Sequence, residues 1–547
     1  MSEQGSVLLQ LTQALALRGF AYVGLSEDRW FVFSGSLMSE GSPYPVRLET
    51  DPIGKDLPRL YLEPIPAALR PVAPHVGADG GLCYSAAGII VLDVFDIVGQ
   101  VFACIERAEA VLGRILRGEM THDLEEEFFA CWPQTSLCLL DFEQGGNRPL
   151  SALVLASKRE TRSAIAVSDD AARTTSKLTA CGFSIDSKRT VVVHRIRTRS
   201  APRAMQKKWP PRTVAEILRW QGELDPRARR KLEELICAEA KTKSNGLVCV
   251  IESPRFIYAF AVVYDRSKDE NWRETTPLQL AYRSEVTPLF CFRIDDRYIA
   301  ERNTPGGPTL AGKRITLIGC GTIGGFLSEY LVKAGAGTGG GEIRLVDSDI
   351  LLPQNVGRHR LGLNYIVRNK AEALADELRQ GAPGAKILPF PVDALQVDLS
   401  SADLIIDATG EEALGHLLAK KVSAGMFRPM LSVWIEGPGT AVRALMRDSD
   451  EAACVRCLKS KDRTPLYSAV EGDLPQALAG HGCESLYVPF PATVSIQAAC
   501  LATEMVSDWA AGNCSPRLRT RIVDPMQKQA CGQIDPARLQ GCPACNT

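Results

Sequence analysis

The chain has 547 residues, more than a single core of roughly 250–300 residues can serve, so several domains are expected. Hydrophobic residues make up 45%, charged residues 23%, and the formal net charge is −1. That balance excludes a polybasic nucleic-acid binder and a highly charged membrane-surface protein. The longest apolar run, residues 86–105, carries Asp93 and Asp96 and is no membrane span. No charged-then-apolar leader opens the chain, and a cytoplasmic location is the expectation. Without a leader, the 17 cysteines are expected as reduced thiols. Cys104, Cys181, Cys237 and Cys249 read as small buried apolar residues. With 6 histidines in all, any metal site should be rich in sulfur.

No internal repeat or low-complexity tract is present. Residues 6–18 have helical apolar spacing, and W-F-V-F-S, P-V-R-L-E and R-L-Y-L-E-P read as strands between Gly, Ser and Pro punctuation. After Cys83 come the apolar run I-I-V-L-D, an amphipathic helix over 96–117, and a helix D-L-E-E-E-F-F-A-C-W. A helix, a meander, a loop and further helices describe an α+β domain over residues 1–145. Residues 146–290 mix strands (V-V-V-H-R-I, G-L-V-C-V-I, F-A-V-V-Y) with a helix expected from Pro211 to Ala240. The basic stretch 197–211 reads as an exposed connection, and the role of this region is not legible.

From Lys313 the pattern becomes strand (R-I-T-L-I), Gly-rich turn, helix (326–334), strand (E-I-R-L-V-D) and a helix over 369–380. The further strands I-L-P-F-P-V and D-L-I-I-D-A complete a βαβ pattern, which predicts a mostly parallel sheet in a domain over 291–547. Gly335–Gly341 reads as a loop.

Gly319-Cys-Gly321-Thr-Ile-Gly324 falls between strand and helix, where glycines permit a tight turn and bring phosphates to a helix N-terminus. Asp347 ends the next strand, where an acid binds ribose hydroxyls. These features alone suit an NAD dehydrogenase equally well. The residues that follow favour ATP cleaved at the α-phosphate: Asp349, then Asn355, Arg358, His359 and Arg360, then Lys370 opening a helix, then Asp407-Ala-Thr-Gly410. Cations offset triphosphate charge, and a carboxylate can hold Mg²⁺.

G-C-G-T-I-G, V-D-S-D, N-V-G-R-H, Lys370 and D-A-T-G together resemble the adenylation domain of the ThiF/MoeB and ubiquitin-activating enzyme superfamily. The resemblance implies that Asp347 binds ribose, that Asn355, Arg358 and Lys370 contact phosphates, and that Asp407 supports Mg²⁺. That family often has Gln where His359 stands, and no role is assigned to this histidine. The segment D-D-R-Y-I-A-E-R resembles the family's entry segment, making Arg297 or Arg302 a candidate for reaching a partner's ATP in a dimer.

Cys454-Val-Arg-Cys457 and Cys542-Pro-Ala-Cys545 are two C-x-x-C knuckles, a set that can close a tetrahedral structural site for Zn²⁺. The same pairs recur in ThiF/MoeB proteins. Cys483 lies between them in the Gly/Pro-bounded loop H-G-C-E-S-L-Y-V-P-F-P-A, placed to attack an acyl adenylate. Cys500 reads as a core residue of the following helix.

Cys83 follows the Gly-rich turn Pro74-His75-Val-Gly-Ala-Asp79-Gly80-Gly81-Leu82. Taken alone, this thiol is expected to be buried. After a helix and meander it resembles the H-P-N … G-x-I-C-L segment of the ubiquitin-conjugating fold, without the asparagine that supports an oxyanion in that family. An activating module behind a conjugating module resembles the bacterial fusion enzymes of antiphage (CBASS) operons. That resemblance implies a homodimer, a middle region that is a reduced inactive adenylation domain, and a carrier with a free C-terminus joined to an acceptor amine. The carrier would be a cGAS-like nucleotidyltransferase or a ubiquitin-like protein. The alternative is a sulfur-carrier activating adenylyltransferase without conjugation; a non-catalytic ATP-binding adaptor is a further rival.

Overall fold

A computed structural model describes residues 3–85, 92–132, 136–156, 164–186, 191–205, 209–242, 244–264, 276–425, 427–480 and 487–545. The chain is a mixed α/β protein of two compact units. One comprises residues 1–139, 144–167 and 186–292; the other comprises 140–143, 168–185 and 293–547.

The first unit opens with α1 (Glu3–Ala16) and an antiparallel meander: β1 (Ala21–Leu25), β2 (Phe31–Ser39), β3 (Ser42–Thr50) and β4 (Arg59–Leu62). Apolar side chains of the sheet and helices, among them Leu11, Phe33, Leu48 and Leu60, form its core with α2 (Ile97–Leu116). Asp96 caps α2, accepting the Gly99 N–H at 2.8 Å. The expected helix after it is two short ones, α3 (Asp123–Glu126) and α4 (Phe128–Cys131), parted at Glu127. Apolar residues 89–91 of the I-I-V-L-D run lie outside the described residues.

The remaining strands of this unit are β5 (Ser136–Asp141), β6 (Ser151–Ala156), β7 (Ala164–Ser168), β9 (Val192–Arg197), β10 (Gly246–Glu252), β11 (Ile257–Val263) and β12 (Glu285–Arg293). They lie side by side in the order β6-β7-β5-β12-β11-β10-β9, whereas α5 (Ala171–Ala180) and β8 (Ser184–Ile185) belong to the second unit. The single helix expected over 211–240 is broken into α6 (Val214–Leu224) and α7 (Pro226–Ala240). Asp225 stops the first and caps the second, and Pro226 sits at the first helical position, where a missing N–H costs nothing. α8 (Pro277–Arg283) follows.

Aromatic rings fill this part of the unit. Phe128 stacks on Trp220 at 6.0 Å and meets Trp132 at 5.2 Å and Tyr258 at 5.2 Å. The basic connection 197–211 is not simply exposed: Ala204 is buried, and Trp209 packs edge-on to Trp220 and donates from Nε1 to the Cys131 carbonyl at 2.7 Å. Its indole and methionine are the apolar signal that the surrounding lysines and arginines mask.

The long segment of the second unit, from residue 293, opens with α9 (Asp296–Glu301), and the unit is built on a seven-stranded sheet ordered β15-β14-β13-β16-β17-β18-β19. In chain order its elements are β13 (Arg314–Ile318), α10 (Thr322–Lys333), β14 (Glu342–Val346), α11 (Lys370–Gly381), β15 (Ile387–Phe390), β16 (Leu404–Asp407), α12 (Glu412–Ala424), β17 (Met430–Glu436), β18 (Ala441–Arg447), α13 (Ala492–Ala510) and β19 (Leu518–Ile522). The first five strands in the order are parallel, and β18 and β19 are antiparallel additions. The parallel strands are nearly continuous apolar runs because helices cover them. α10 starts earlier than expected, at Thr322, because Gly321 serves as its N-cap. Residues 140–143 and 168–185 join this unit through Lys177, whose ammonium lies 2.8 Å from both Asp141 and Asp296. Among the described residues no helix is long and apolar enough to cross a membrane.

Phe128 is fully buried. Phe128→Ala should remove about 3–5 kcal/mol from the first unit. Tryptophan fluorescence in a urea titration should show its transition at lower denaturant.

Candidate active site

β13 delivers the chain into the Gly-rich turn. Gly319 has φ +88°, and a Cβ there would come within 2.9 Å of the Ala408 carbonyl carbon and the Thr409 nitrogen. At Gly324 a Cβ would lie 1.8 Å from the Gly319 carbonyl oxygen, so the turn can close only over glycine. Gly321 differs: nothing lies within 4 Å of where its Cβ would be, at the N-cap of α10. Packing within the chain does not demand glycine there, whereas a phosphate approaching the helix N-terminus would use that space.

Asp347, at the end of β14, holds this turn. Its Oδ2 accepts the Cys320 N–H at 2.8 Å and its Oδ1 accepts the Asp349 N–H at 2.8 Å. Burial raises its pKa from the usual aspartate value, against the pull of those bonds and of Lys370. Each carboxylate oxygen has two lone pairs, so ribose hydroxyls could still be received. Asn369 caps α11 and donates to the Asp347 and Asp349 carbonyls at 2.9 and 3.1 Å. That cap places Lys370, whose ammonium lies 2.8 Å from Asp349.

His359 has a role that the sequence did not reveal. Its ring is buried, with Nε2 donating to the Cys320 carbonyl at 2.8 Å and Nδ1 accepting the Leu361 N–H at 3.0 Å. Burial lowers its pKa, which keeps the ring neutral with the proton on Nε2. Arg360 is paired with Glu329 at 2.7 Å and Glu377 at 3.3 Å, bracing α10 and α11.

Asn355 Oδ1 accepts the Leu352 N–H at 3.1 Å. Arg358 donates from Nη1 to the Val488 carbonyl at 3.2 Å and lies over the Phe490 ring at 4.5 Å. Its Nε is buried without a partner among the described residues, a donor that an added phosphate would satisfy. Asp407, at the end of β16, is 5% exposed and accepts from the Thr409 N–H and hydroxyl at 3.1 and 2.7 Å. Burial raises its pKa, and a divalent cation, if bound there, would favour its ionised form. Arg297 is paired with Glu301 at 2.8 Å, and Arg302 is exposed at the end of α9.

The four knuckle cysteines are brought together. Cys454 Sγ lies 3.8 Å from the Cys457 and Cys542 sulfurs, and Cys457 lies 3.5 Å from Cys545. All four are buried, with their sulfurs within 4.8 Å of one another. A tetrahedron with zinc–sulfur bonds of about 2.3 Å has edges of about 3.8 Å, so the set fits Zn²⁺. Hydrogen bonding to Cys457 and Cys545, then burial, pushes the Cys454 pKa far up, and a bound cation would let all four ionise.

In the first unit Cys83 is exposed, contrary to the burial expected of it alone. The Gly80–Leu82 turn docks on β4, with the Leu82 N–H donated to the Leu60 carbonyl at 2.8 Å. His75, at φ +60°, accepts the Cys83 N–H on its carbonyl at 2.8 Å and donates its own N–H to Glu127 Oε2 at 2.7 Å. Its ring lies between carboxylates, with Nε2 2.9 Å from Asp123 and Nδ1 2.6 Å from Glu127. Partial burial, then the Glu127 charge, raises the Cys83 pKa. Sequence reading missed Asp123 and Glu127 because their partner lies about fifty residues away with no local spacing to mark it. Cys483 lies outside the described residues. Of the cysteines expected in cores, Cys104 and Cys249 are buried, Cys237 and Cys500 are intermediate, and Cys181 is exposed, just past the end of α5.

A parallel sheet with this turn and these charges at the ends of its strands is the architecture of an adenylating domain, and residues 297–543 match the ThiF family. Over its whole length the chain is 48% identical to the ATP-dependent ubiquitin transferase-like protein Cap2 of Pseudomonas aeruginosa (strain BWHPSA011 / Pa011), with 99% of each covered. It is 28% identical to the protein of that name from Escherichia coli (strain TW11681), covering 90% of this chain and 89% of that one. A crystal structure of E. coli MccB with ATP aligns at a TM-score of 0.33 and 16% identity, covering 43% of this chain and 67% of that one. The chain belongs to the Cap2 family of ATP-dependent ubiquitin transferase-like proteins, as the fused modules led one to expect. Membership makes it an enzyme with a ThiF-type ATP-binding region.

Two outcomes are expected of this site. His359→Leu, which removes both ring bonds, should weaken ATP binding at least about tenfold in calorimetric titration, and His359→Gln should retain most of the affinity by keeping a donor for Cys320. Metal analysis should find one zinc per chain, and Cys454→Ser should lose it and lower the melting temperature of the second unit.

Proposed function

We propose that the chain uses ATP to activate the C-terminal carboxylate of a carrier protein and conjugates that carrier to a target amine. One observation carries this reading: the Gly319–Gly324 turn, Asp347, Lys370 and Asp407 converge on the ends of adjacent strands β14, β13 and β16. A carboxylate oxygen attacks the α-phosphorus of ATP, and pyrophosphate leaves. Gly321 leaves room for phosphates, Asp347 receives the ribose, and Asn355, Arg358 and Lys370 offset phosphate charge. Asp407 would hold Mg²⁺, which supplies further charge neutralisation. The mixed anhydride converts a poor acyl donor into a good one, because AMP is a good leaving group.

In the reading we favour, the Cys483 sulfur then attacks the acyl carbon and AMP departs. The Cys83 sulfur displaces Cys483 by transthioesterification, and a target amine forms an amide with loss of the Cys83 thiolate. The exposure of Cys83 on a turn pinned by His75 supports its part. Residues 1–145 would act as the conjugating module and 291–547 as the activating module, with 146–290 a reduced adenylation domain. The zinc knuckle is structural. A cGAS-like nucleotidyltransferase in antiphage defence is the carrier we favour, a ubiquitin-like protein the other, with the enzyme acting as a cytoplasmic homodimer.

Trapping experiments test the order of transfer. With carrier and ATP, Cys83→Ala should still form a thioester sensitive to reducing agent, and Cys483→Ala should form none. A carrier adduct on Cys83 in the Cys483→Ala protein would reverse the order. A thiocarboxylate product without any enzyme-bound thioester would favour sulfur-carrier activation instead.

A further inference from the structure

A cavity of about 580 Å³ opens at Asp407 and runs over β17 and β18. That volume is ordinary for a ligand site. The strand order β14-β13-β16-β17-β18 puts β17 and β18 on the opposite side of β13 from Asp347, so a nucleotide with its ribose at Asp347 and its Mg²⁺ at Asp407 would meet only the mouth of the cavity and leave the part over β17 and β18 for the second substrate. Trp434 and Arg443, directly paired across β17 and β18, form part of its wall.

The wall is acidic. Among the described residues its carboxylates are Asp407, Glu411, Glu412, Glu436 and Asp473, five against the two cations Lys459 and Arg443. Lys459 is paired with Glu412, and Arg443 with Glu436 at 3.2 Å; with Asp407 facing the Mg²⁺ it would hold, Glu411 and Asp473 remain in excess. His416 also lines the cavity, and burial lowers its pKa, so it does not restore the balance.

Arg443 is 4% exposed. Its Nε donates to the Thr520 hydroxyl at 3.1 Å and its Nη1 to Glu436 Oε1, which also receives the Trp434 Nε1–H at 2.8 Å. Its Nη2 is buried with no hydrogen-bond partner among the described residues. A buried guanidinium donor left unsatisfied is costly, and an occupant that brings an oxygen relieves it. Since Glu436 already balances the charge, a carbonyl suffices.

We propose that this cavity selects carriers whose last residues are uncharged or basic, and that Arg443 reads them by donating to a carbonyl oxygen of the carrier's C-terminal segment. The inference rests on the adenylation reading above, and it adds the substrate class and a specificity-determining residue. Acidic side chains next to the reacting carboxylate are disfavoured by the excess of carboxylates around them.

The probes are three acetylated pentapeptides with free carboxylates, Ala-Ala-X-X-Gly with X as alanine, lysine or aspartate, at millimolar concentration with the full chain. The readout is peptide-dependent exchange of labelled pyrophosphate into ATP. The alanine and lysine peptides should support exchange, and kcat/KM for the aspartate peptide should be at least about tenfold lower. Arg443→Met should raise the KM for every peptide about tenfold or more, as expected for a lost bond to a charged donor, with the KM for ATP unchanged. Arg443→Lys should recover part of the loss, which a general packing defect would not. Equal use of aspartate and lysine peptides, or an unchanged peptide KM in Arg443→Met, overturns the selectivity while leaving adenylation intact. ATP binding with no exchange for any peptide overturns the adenylation reading and the selectivity with it.

Discussion

The peptide at Cys320 is held from both directions, its N–H by the Asp347 carboxylate and its carbonyl by the His359 ring. Those two bonds fix the turn between β13 and α10, and with it the direction in which the helix N-terminus points. Glycine at 319 and 324 makes so tight a turn possible, but glycine also loses the most entropy on ordering, so something must select one conformation. Two side chains do so, the half-buried Asp347 at the end of β14 and the buried His359 in the segment leading toward α11. Preorganised backbone donors stabilise developing negative charge only when they need not reorganise as it appears. Fixing Cys320 therefore keeps the N-terminus of α10 preorganised for an anion, beyond its contribution to stability.

Most of the second unit was legible because its signals are local. Strand, turn and helix follow one another in sequence from Lys313 to Asp407, and the C-x-x-C pairs carry their own spacing. His359 was not legible, because its partner is a backbone carbonyl 39 residues away that no side-chain pattern marks. The break between α6 and α7 was written in Asp225-Pro226, but the apolar periodicity runs through it. The connection 197–211 misled for the opposite reason: its charges dominate the composition, while the indole of Trp209 decides its packing. Cys83 was placed correctly on a turn, but its exposure depends on the docking of Gly80–Leu82 against β4, a tertiary event.

The environment of Cys83 is built from groups that meet only in the fold. His75 adopts a left-handed conformation that costs energy for a residue with a Cβ. Its carbonyl, amide and ring are each occupied, by Cys83, Glu127 and Asp123 respectively, and these contacts offset that cost. The split between α3 and α4 belongs to the same arrangement, because Glu127 sits at the junction and turns its carboxylate to His75. The acidic pair Asp123 and Glu127 thus holds the turn that carries Cys83.

The aromatic packing of the first unit has an optical consequence. Trp132, Trp209 and Trp220 lie with ring centroids 5.3–5.8 Å apart, tilted relative to one another. Indoles this close couple through their strong far-ultraviolet transition, so the trio should give an exciton couplet in the far-ultraviolet circular dichroism that isolated tryptophans lack. Trp434 and Trp509 belong to the other unit. The loss of the exciton band would then follow one unit of the protein without a label.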